Sequence, residues 1–258
     1  MNNTPPYFSI IMPTYNRAKL LKRAIDSALN QTFADFELIV VDDGSTDNTG
    51  EVLARIADQR LQIIKQPNAG PAAARNTALE SAKGTFIAYL DSDNTFHPDF
   101  LKVLADELTE PFVAAYTGQN LFLVDGNLDE PHVIGRKTRS LPFNPAAFQN
   151  GNYIDIGCFV HRADIIKIVG TFDPSQPWAE DWDLIARIAI QYPFYIKHID
   201  QVLCDYYAYL PEALPTMTNQ SKAWAVNIKR AFGVGPTEAR DKKLAEHITT
   251  LVRKRYPR

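Results

Sequence analysis

Apolar runs and amphipathic runs alternate along the first half of the chain. Residues 8–12 (FSIIM) read as a short buried strand ending at Pro13, which has no N–H to offer a ladder. Over residues 18–32, Leu20, Leu21, Ala24, Ile25, Ala28 and Leu29 fall at helical spacing. A second strand spans 36–41 and closes at Asp42-Asp43-Gly44-Ser45; Thr46 or Asp47 can then cap a helix running to about Asp58. Residues 61–64 predict a third strand and 71–83 an alanine-rich helix, with Gly84 at its C′ position. A fourth strand over 85–90 runs into Asp91-Ser92-Asp93-Asn94, and Pro98 opens the next helix.

Strands alternating with helices predict a parallel sheet covered on both faces. In such sheets ligands bind beyond the carboxyl ends of the strands. Polar residues collect there after strand one (Thr14, Tyr15, Asn16, Arg17), strand two (Asp42, Asp43) and strand four (Asp91, Asp93). After about Phe112 the rhythm changes. Residues 113–123 read as strand, 124–127 (VDGN) as a hairpin turn, 128–152 as loop-rich, 156–160 as strand, 180–192 as helix and 194–199 as strand. No repeat or low-complexity tract interrupts the chain.

Composition narrows the class. A chain of 258 residues, 45% hydrophobic and 22% charged, buries roughly 70–75% of its unfolded surface and folds without a disulfide or structural metal. Cys158 and Cys204 fit neither a zinc spacing nor a disulfide framework, which suits a reducing cytoplasm. No apolar stretch approaches the ~20 residues of a membrane helix, and residues 1–7 carry no secretion signal. Charge is unevenly spread. Residues 222–258 hold ten Lys/Arg against three Asp/Glu, and residues 1–221 hold 17 against 27. The basic tail reads as a solvated helix or as a patch for an anionic surface.

Each cluster of candidate residues has two readings. Asp91 and Asp93, two apart at a strand end, face the same way, and such a pair suits a divalent cation with a phosphate ligand; a solvated acidic turn is the alternative. Asp42-Asp43-Gly44-Ser45 is turn chemistry, or a carboxylate presented to a base or ribose. In Trp178-Ala179-Glu180-Asp181-Trp182-Asp183 the acids stabilise a helix start, or serve as a general base between two indole platforms for sugar rings. Arg75 reaches an anionic ligand or pairs with a nearby carboxylate. The five histidines show no ligand spacing. G-x-S-x-G, G-x-G-x-x-G and P-loop motifs are absent, which removes hydrolase-elbow, nicotinamide and ATP-loop chemistry.

In combination these segments resemble glycosyltransferase family 2. The matching pieces are Pro13-Thr14-Tyr15-Asn16-Arg17, Gln31-Thr32-Phe33, residues 41–47 (VDDGSTD), Asn68-Ala69-Gly70, Ala74-Arg75-Asn76, Asp91-Ser92-Asp93 and Glu180-Asp181, in the family's order over about residues 8–210. The resemblance implies an α/β GT-A fold, a Rossmann-like, mostly parallel sheet flanked by helices with a smaller mixed half. It divides the chain into a nucleotide-sugar-binding half (1–115), an acceptor-binding half of the same domain (116–215) and a basic helical extension (216–258). It implies inverting transfer from a nucleotide-sugar, UDP-linked first, to a glycan or lipid-linked acceptor, with Mn²⁺ or Mg²⁺ as cofactor and no nucleic-acid partner. By position, Pro13, Thr14, Tyr15, Arg17, Asp43, Arg75, Asp91 and Ser92 line the nucleotide; Asp93, with Asp91, holds the metal; Asp181, beside Glu180, is the base; Trp178 and Trp182 meet the acceptor. For an enzyme of this kind the basic tail becomes a candidate for docking at the inner face of the membrane.

Many family members carry a His after the Glu-Asp helix that helps hold metal and diphosphate, whereas residues 206–220 here contain none. The Q-x-x-R-W motif of processive members is also absent, which favours a single transfer. Two rivals stand beside this reading. Residues 86–95 (FIAYLDSDNT) fit the D-x-D-x-T nucleophile motif of haloacid-dehalogenase-type phosphatases, but after the fourth strand rather than the first. A sugar-nucleotide-binding protein without catalysis is the other.

Overall fold

The computed structural model describes residues 4–125, 128, 131–176 and 179–210. One nine-stranded sheet runs through them. In chain order its strands are β1 (Phe8–Thr14), β2 (Phe36–Asp42), β3 (Leu61–Lys65), β4 (Phe86–Tyr89), β5 (Thr95–Phe96), β6 (Ala114–Asp125), β7 (His132–Arg139), β8 (Phe159–Arg162) and β9 (Ile196–Tyr209). They lie in the order β3-β2-β1-β4-β8-β6-β9-β5, with β7 pairing onto β6. The β3-β2-β1-β4 half is parallel, and antiparallel β8 joins it to parallel β6 and β9. The expected α/β, mostly parallel sheet is therefore observed.

The helices that matter for the site are α1 (Ala18–Leu29), α2 (Thr49–Ala54), α3 (Pro71–Ser81), α4 (Phe100–Glu107), α5 (Pro145–Asn150), α6 (Ile166–Val169) and α7 (Glu180–Gln191). In α1, Leu20, Leu21, Ala24, Ile25 and Ala28 form the buried stripe that the spacing predicts. α7 is buried on nearly every side, Asp183 and Arg187 included.

Several boundaries differ from the sequence reading for physical reasons. β1 runs through Pro13 to Thr14, with Pro13 opposite Val41. Pairing with β4 stops at Ile11 and Tyr89, so the N–H that Pro13 lacks would face a side with no remaining partner. α2 starts at Thr49, because Asp47 and Asn48 belong to the loop that braces α1. Within the stretch expected as loop, β7 and α5 form. β7 is an edge strand with both faces largely exposed, so apolar periodicity had nothing to report. Residues 156–158 make a 3-10 turn before β8. β9 continues to Tyr209, but breaks in its register against β6 scramble its alternation.

Gly84 is not a helix cap. α3 ends at Ser81 with Ala82 extended. Glycine is needed because a Cβ at position 84 would stand 2.4 Å from the Ser9 backbone nitrogen. This close approach lets the Gly84 N–H donate to Ser9 Oγ at 2.8 Å, while Ser9 Oγ donates to Glu37 Oε1 at 2.6 Å. Gly84→Ala is expected to destabilise the fold by about 1–3 kcal/mol through overpacking against a backbone that cannot yield. A urea midpoint equal to that of the unsubstituted chain would contradict this packing.

Candidate active site

The rim of the parallel half is assembled by mutual bracing of its loops. Asn16 adopts φ 50°, a left-handed conformation that asparagine tolerates better than most residues. Its N–H donates to Ser45 Oγ (3.0 Å), and its Oδ1 accepts from the Thr46 N–H (2.8 Å). The Arg17 N–H donates to Thr49 Oγ1, and the Ala18 N–H, first of α1, donates to Asp47 Oδ2. The loops after β1 and β2 thus form one body.

Asp43 is buried and organises the next loop. Its Oδ1 accepts from Gln66 Nε2 (2.7 Å) and the Ala69 N–H (2.9 Å), and its Oδ2 from the Gly70 N–H (2.8 Å). Asn68 Nδ2 donates to the Asp43 carbonyl. The Asn68-Ala69-Gly70 motif is therefore the mould in which Asp43 sits. It leads directly into α3, which carries Arg75.

Arg75 lies at the centre of the site. Its guanidinium donates to Asp91 Oδ1 at 2.7 Å and to Glu180 Oε1 at 2.8 Å, joining the end of β4 to the start of α7. Burial opposes the charge on Arg75, but Asp91 and Glu180, with Asp181 beyond, outweigh it and raise its pKa. Next to this pair, burial and the charges of Glu180 and Asp155 push the Asp181 carboxyl up to about 7. The carboxyl of Asp93 is also raised, by burial first and Asp91 second, against the opposing charge of Arg17, whose Nε lies 3.5 Å from Asp93 Oδ2. A carboxyl held near neutrality in a buried, charged cleft is suited to proton transfer.

Two contributors escaped the sequence reading, and a third, Tyr206, belongs to the stretch in which a Tyr is a candidate substitute for the missing His. Asp155 sits before the 3-10 turn, where its Oδ1 accepts from the Gly157 N–H (2.8 Å). Burial and the charge of Asp91 push its carboxyl up to about 6. An acid immediately preceding an apolar run was its only signal. Arg23 of α1 donates to the Asp93 carbonyl (2.6 Å) and to Tyr209 Oη (3.1 Å) and lies 3.9 Å over the Tyr207 ring; in sequence it belongs to a solvated helix face. Tyr206 lies among Asp155, Asp93, Asp91 and Asp181, and burial followed by these charges raises its pKa well above the usual value.

Other expected residues take different places. Trp182 is only 5% exposed, and its indole N–H donates to the Phe148 carbonyl at 3.2 Å. Its ring packs edge-on to Phe148, so it is part of the core and not an exposed platform for a sugar. Trp178 lies outside the described residues, as do residues 211–258. Asp183 pairs with Arg187, whose guanidinium also donates to the carbonyls of Val169, Gly170 and Thr171. Tyr15 is exposed at the rim, Ser92 is buried beside Asp91, and Thr14 Oγ1 is buried without a hydrogen-bond partner. His161 is structural. Its Nδ1–H donates to the Arg162 carbonyl, its Nε2 accepts from Tyr89 Oη, and burial lowers its pKa to about 4. Both cysteines are buried and free.

A sequence model of the family described as glycosyl transferase family 2 matches residues 9–167. The chain belongs to glycosyl transferase family 2. Within the family it is 39% identical over 199 residues to the chondroitin synthase of Escherichia coli, an alignment covering 76% of this chain and 28% of that protein. It is 41% identical over 130 residues to the hyaluronan synthase of Pasteurella multocida, covering 49% of this chain and 13% of that protein. The chain thus spans only a minor part of these relatives' length. Among solved structures it is similar to the mannosyltransferase PcManGT from Pyrobaculum calidifontis in complex with GDP-Man and Mn²⁺ (TM-score 0.63, 20% identity, 97% of this chain and 70% of that one). It is also similar to S. aureus TarS 1-349 in complex with UDP-GlcNAc (TM-score 0.60, 19% identity, 96% and 72%). At these identities the structures establish the shared GT-A fold. The haloacid-dehalogenase alternative loses its footing, because the D-x-D lies within the family match and after the fourth strand.

Arg75 is expected to dominate the stability of this region. Arg75→Gln leaves two carboxylates facing each other without a cation, and breaking a buried pair this way costs about 3–5 kcal/mol. Urea unfolding reads the loss. A much smaller loss, or Arg75→Lys falling as far as Arg75→Gln, would contradict the bridging role.

Proposed function

We propose that the chain transfers a sugar from a nucleotide-sugar, UDP-linked first, to an acceptor hydroxyl with inversion, in the synthesis of a polysaccharide or other glycoconjugate. The observation that carries this is the Arg75 bridge from Asp91 to Glu180. It draws the nucleotide-side D-x-D and the Glu-Asp pair into one cleft at the strand ends. Relatives that bear the names of glycan synthases, and structural neighbours holding UDP-GlcNAc and GDP-Man, support the donor class.

In this reading residues 1–115 bind the nucleotide and residues 116–215 the acceptor. Pro13, Thr14 and Tyr15 line the nucleotide, and the unpartnered Thr14 Oγ1 is free to bond it. Asp43 retains a lone pair for the base after its three protein bonds. Arg17, Ser92 and Asp91 face the ribose and diphosphate. Asp181 takes the proton of the acceptor hydroxyl as that oxygen attacks the anomeric carbon. The bond from the anomeric carbon to the phosphate oxygen breaks, and the nucleoside diphosphate departs with the electron pair.

Among the described residues no three acidic, imidazole or thiol side chains converge to hold a metal ion unaided. The donor set still fits a hard divalent cation, Mn²⁺ or Mg²⁺. Asp93 and Asp91 offer carboxylate oxygens, burial penalises the charge of Asp93, and the remaining ligands come from diphosphate and water. When bound there, the ion neutralises the leaving diphosphate. Among the described residues no helix is long and apolar enough to cross a membrane. The basic stretch 222–258 supports peripheral docking at the inner face of the membrane from a cytoplasmic location.

Calorimetry with UDP tests the site. Binding is expected to require Mn²⁺ or Mg²⁺ and to weaken in Asp93→Ala; metal-independent binding unaffected by that substitution would remove the metal assignment. Asp181→Asn is expected to lose about 10²–10⁴-fold in kcat, the usual contribution of a general base, while still binding UDP. Only the ionised carboxylate accepts a proton, so a base pushed up to about 7 is inactive at lower pH. The kcat/KM profile should rise through that pH, as a property of the interacting carboxyls together. A profile flat from pH 5 to 8 would rule out Asp181 as the base.

A further inference from the structure

On the acceptor side of the cleft, β6 is irregular where it passes β9. Its register shifts on both sides of Gly118, which lies opposite Val202 while Gln119 lies opposite Cys204. The residues without a partner across this break, 200, 201 and 203, are on β9, so β9 carries the bulge and bends against β6. Gly118 also packs closely on the β7 side, where a Cβ would stand 2.9 Å from the side chain of Ser140. The next residue, Gln119, is 2% exposed, and neither its Nε2 nor its Oε1 has a hydrogen-bond partner. Burying a primary amide with nothing to bond is costly, and no packing need explains it, since an aliphatic side chain would fill the same space.

Strand pairing sets what Gln119 faces. It is opposite Arg139 on β7 and Cys204 on β9, and two residues along, Leu121 is opposite Tyr206. Gln119, Arg139, Cys204 and Tyr206 therefore share one face of the sheet. That face carries the acidic cleft, because Tyr206 lies within the field of Asp155, Asp93, Asp91 and Asp181. Asp155 in turn feels the charge of Arg139.

Arg139 is half-buried and, among the described residues, has no carboxylate within ion-pair distance. By contrast Arg60, Arg75, Arg162 and Arg187 each have one. It lies opposite Gln119, whereas Arg136, opposite Phe122, lies on the other face of β7. Arg136 rests on the Phe122 ring (5.4 Å) and near Asn120 Oδ1 (3.5 Å), not on an acid.

We propose that Gln119 and Arg139 form an acceptor subsite that takes a sugar bearing a carboxylate. The guanidinium fork matches a carboxylate in two parallel hydrogen bonds. The Gln119 amide, both donor and acceptor, reads the hydroxyl beside it. The subsite rests on the transfer reaction proposed above and names the acceptor class for it.

The test compares oligosaccharides ending in a hexuronic acid with the same compounds reduced at the carboxyl to neutral hexose, and with a sulfated neutral hexose. Binding is measured by calorimetry on the full chain with UDP and Mn²⁺ present, and KM by transfer from the donor. The uronate is expected to be preferred at least about tenfold over the reduced compound, the size of one charge-assisted hydrogen bond. R139Q is expected to bring the two KM values to within about twofold. Q119L is expected to raise the KM for both compounds and to raise Tm, since it removes an unpaired buried amide; a lower Tm would show that Gln119 is structural and would overturn its role. Equal use of uronate and reduced acceptor, a preference for the sulfate ester, or an unchanged preference in R139Q would each overturn the carboxylate subsite while leaving the transfer reaction standing. Failure of the unsubstituted chain to bind UDP at all would overturn both together.

Discussion

The structure turns on a buried guanidinium. Arg75 is supplied by α3, Asp91 by the loop after β4 and Glu180 by the first turn of α7, three elements separated widely in sequence. A buried arginine cannot shed its proton, so its position obliges carboxylates to come to it. Those carboxylates lie close to Asp93 and Asp181, whose own carboxyls are raised first by burial. Burial first, then the charges of Glu180 and Asp155, push the Asp181 carboxyl up to about 7 against the opposing charge of Arg75.

A second network keeps the cluster aligned. Asp183 holds Arg187, and Arg187 gathers the carbonyls of 169–171 at the end of α6. That turn delivers Phe172, whose backbone exchanges two hydrogen bonds with the side chain of Asn76, the neighbour of Arg75. α7 and α3 are therefore clamped a few residues from the points where Glu180 and Arg75 meet. Within the Glu180–Asp183 run, Glu180 pairs with Arg75 and Asp183 anchors the scaffold through Arg187.

The family motifs follow the same logic. Asn16 and the residues 45–49 are spent largely on one another, and Asp43 is spent on the 66–70 loop. Polar residues at the rim thus serve first as the frame of a pocket. Among the described residues, Thr14 Oγ1, Arg75 Nε and both atoms of the Gln119 amide are buried without a hydrogen-bond partner.

The sequence alone determined the alternation of strands and helices, the buried stripe of α1, the rim at the ends of β1, β2 and β4, and the membership of Arg75, Asp91, Asp93, Glu180 and Asp181 in one ordered set. These depend on local periodicity and on motif order, both of which are written along the chain. Only the tertiary structure decided that Gly84 serves close packing, that Trp182 belongs to the core, and that β7 is an edge strand. It alone brought Asp155, Arg23 and Tyr206 to the acids, and left Gln119 unpaired at a bulge. Each of these depends on contacts between residues distant in sequence, and on which face of a strand a register shift leaves exposed. Periodicity carries no record of either.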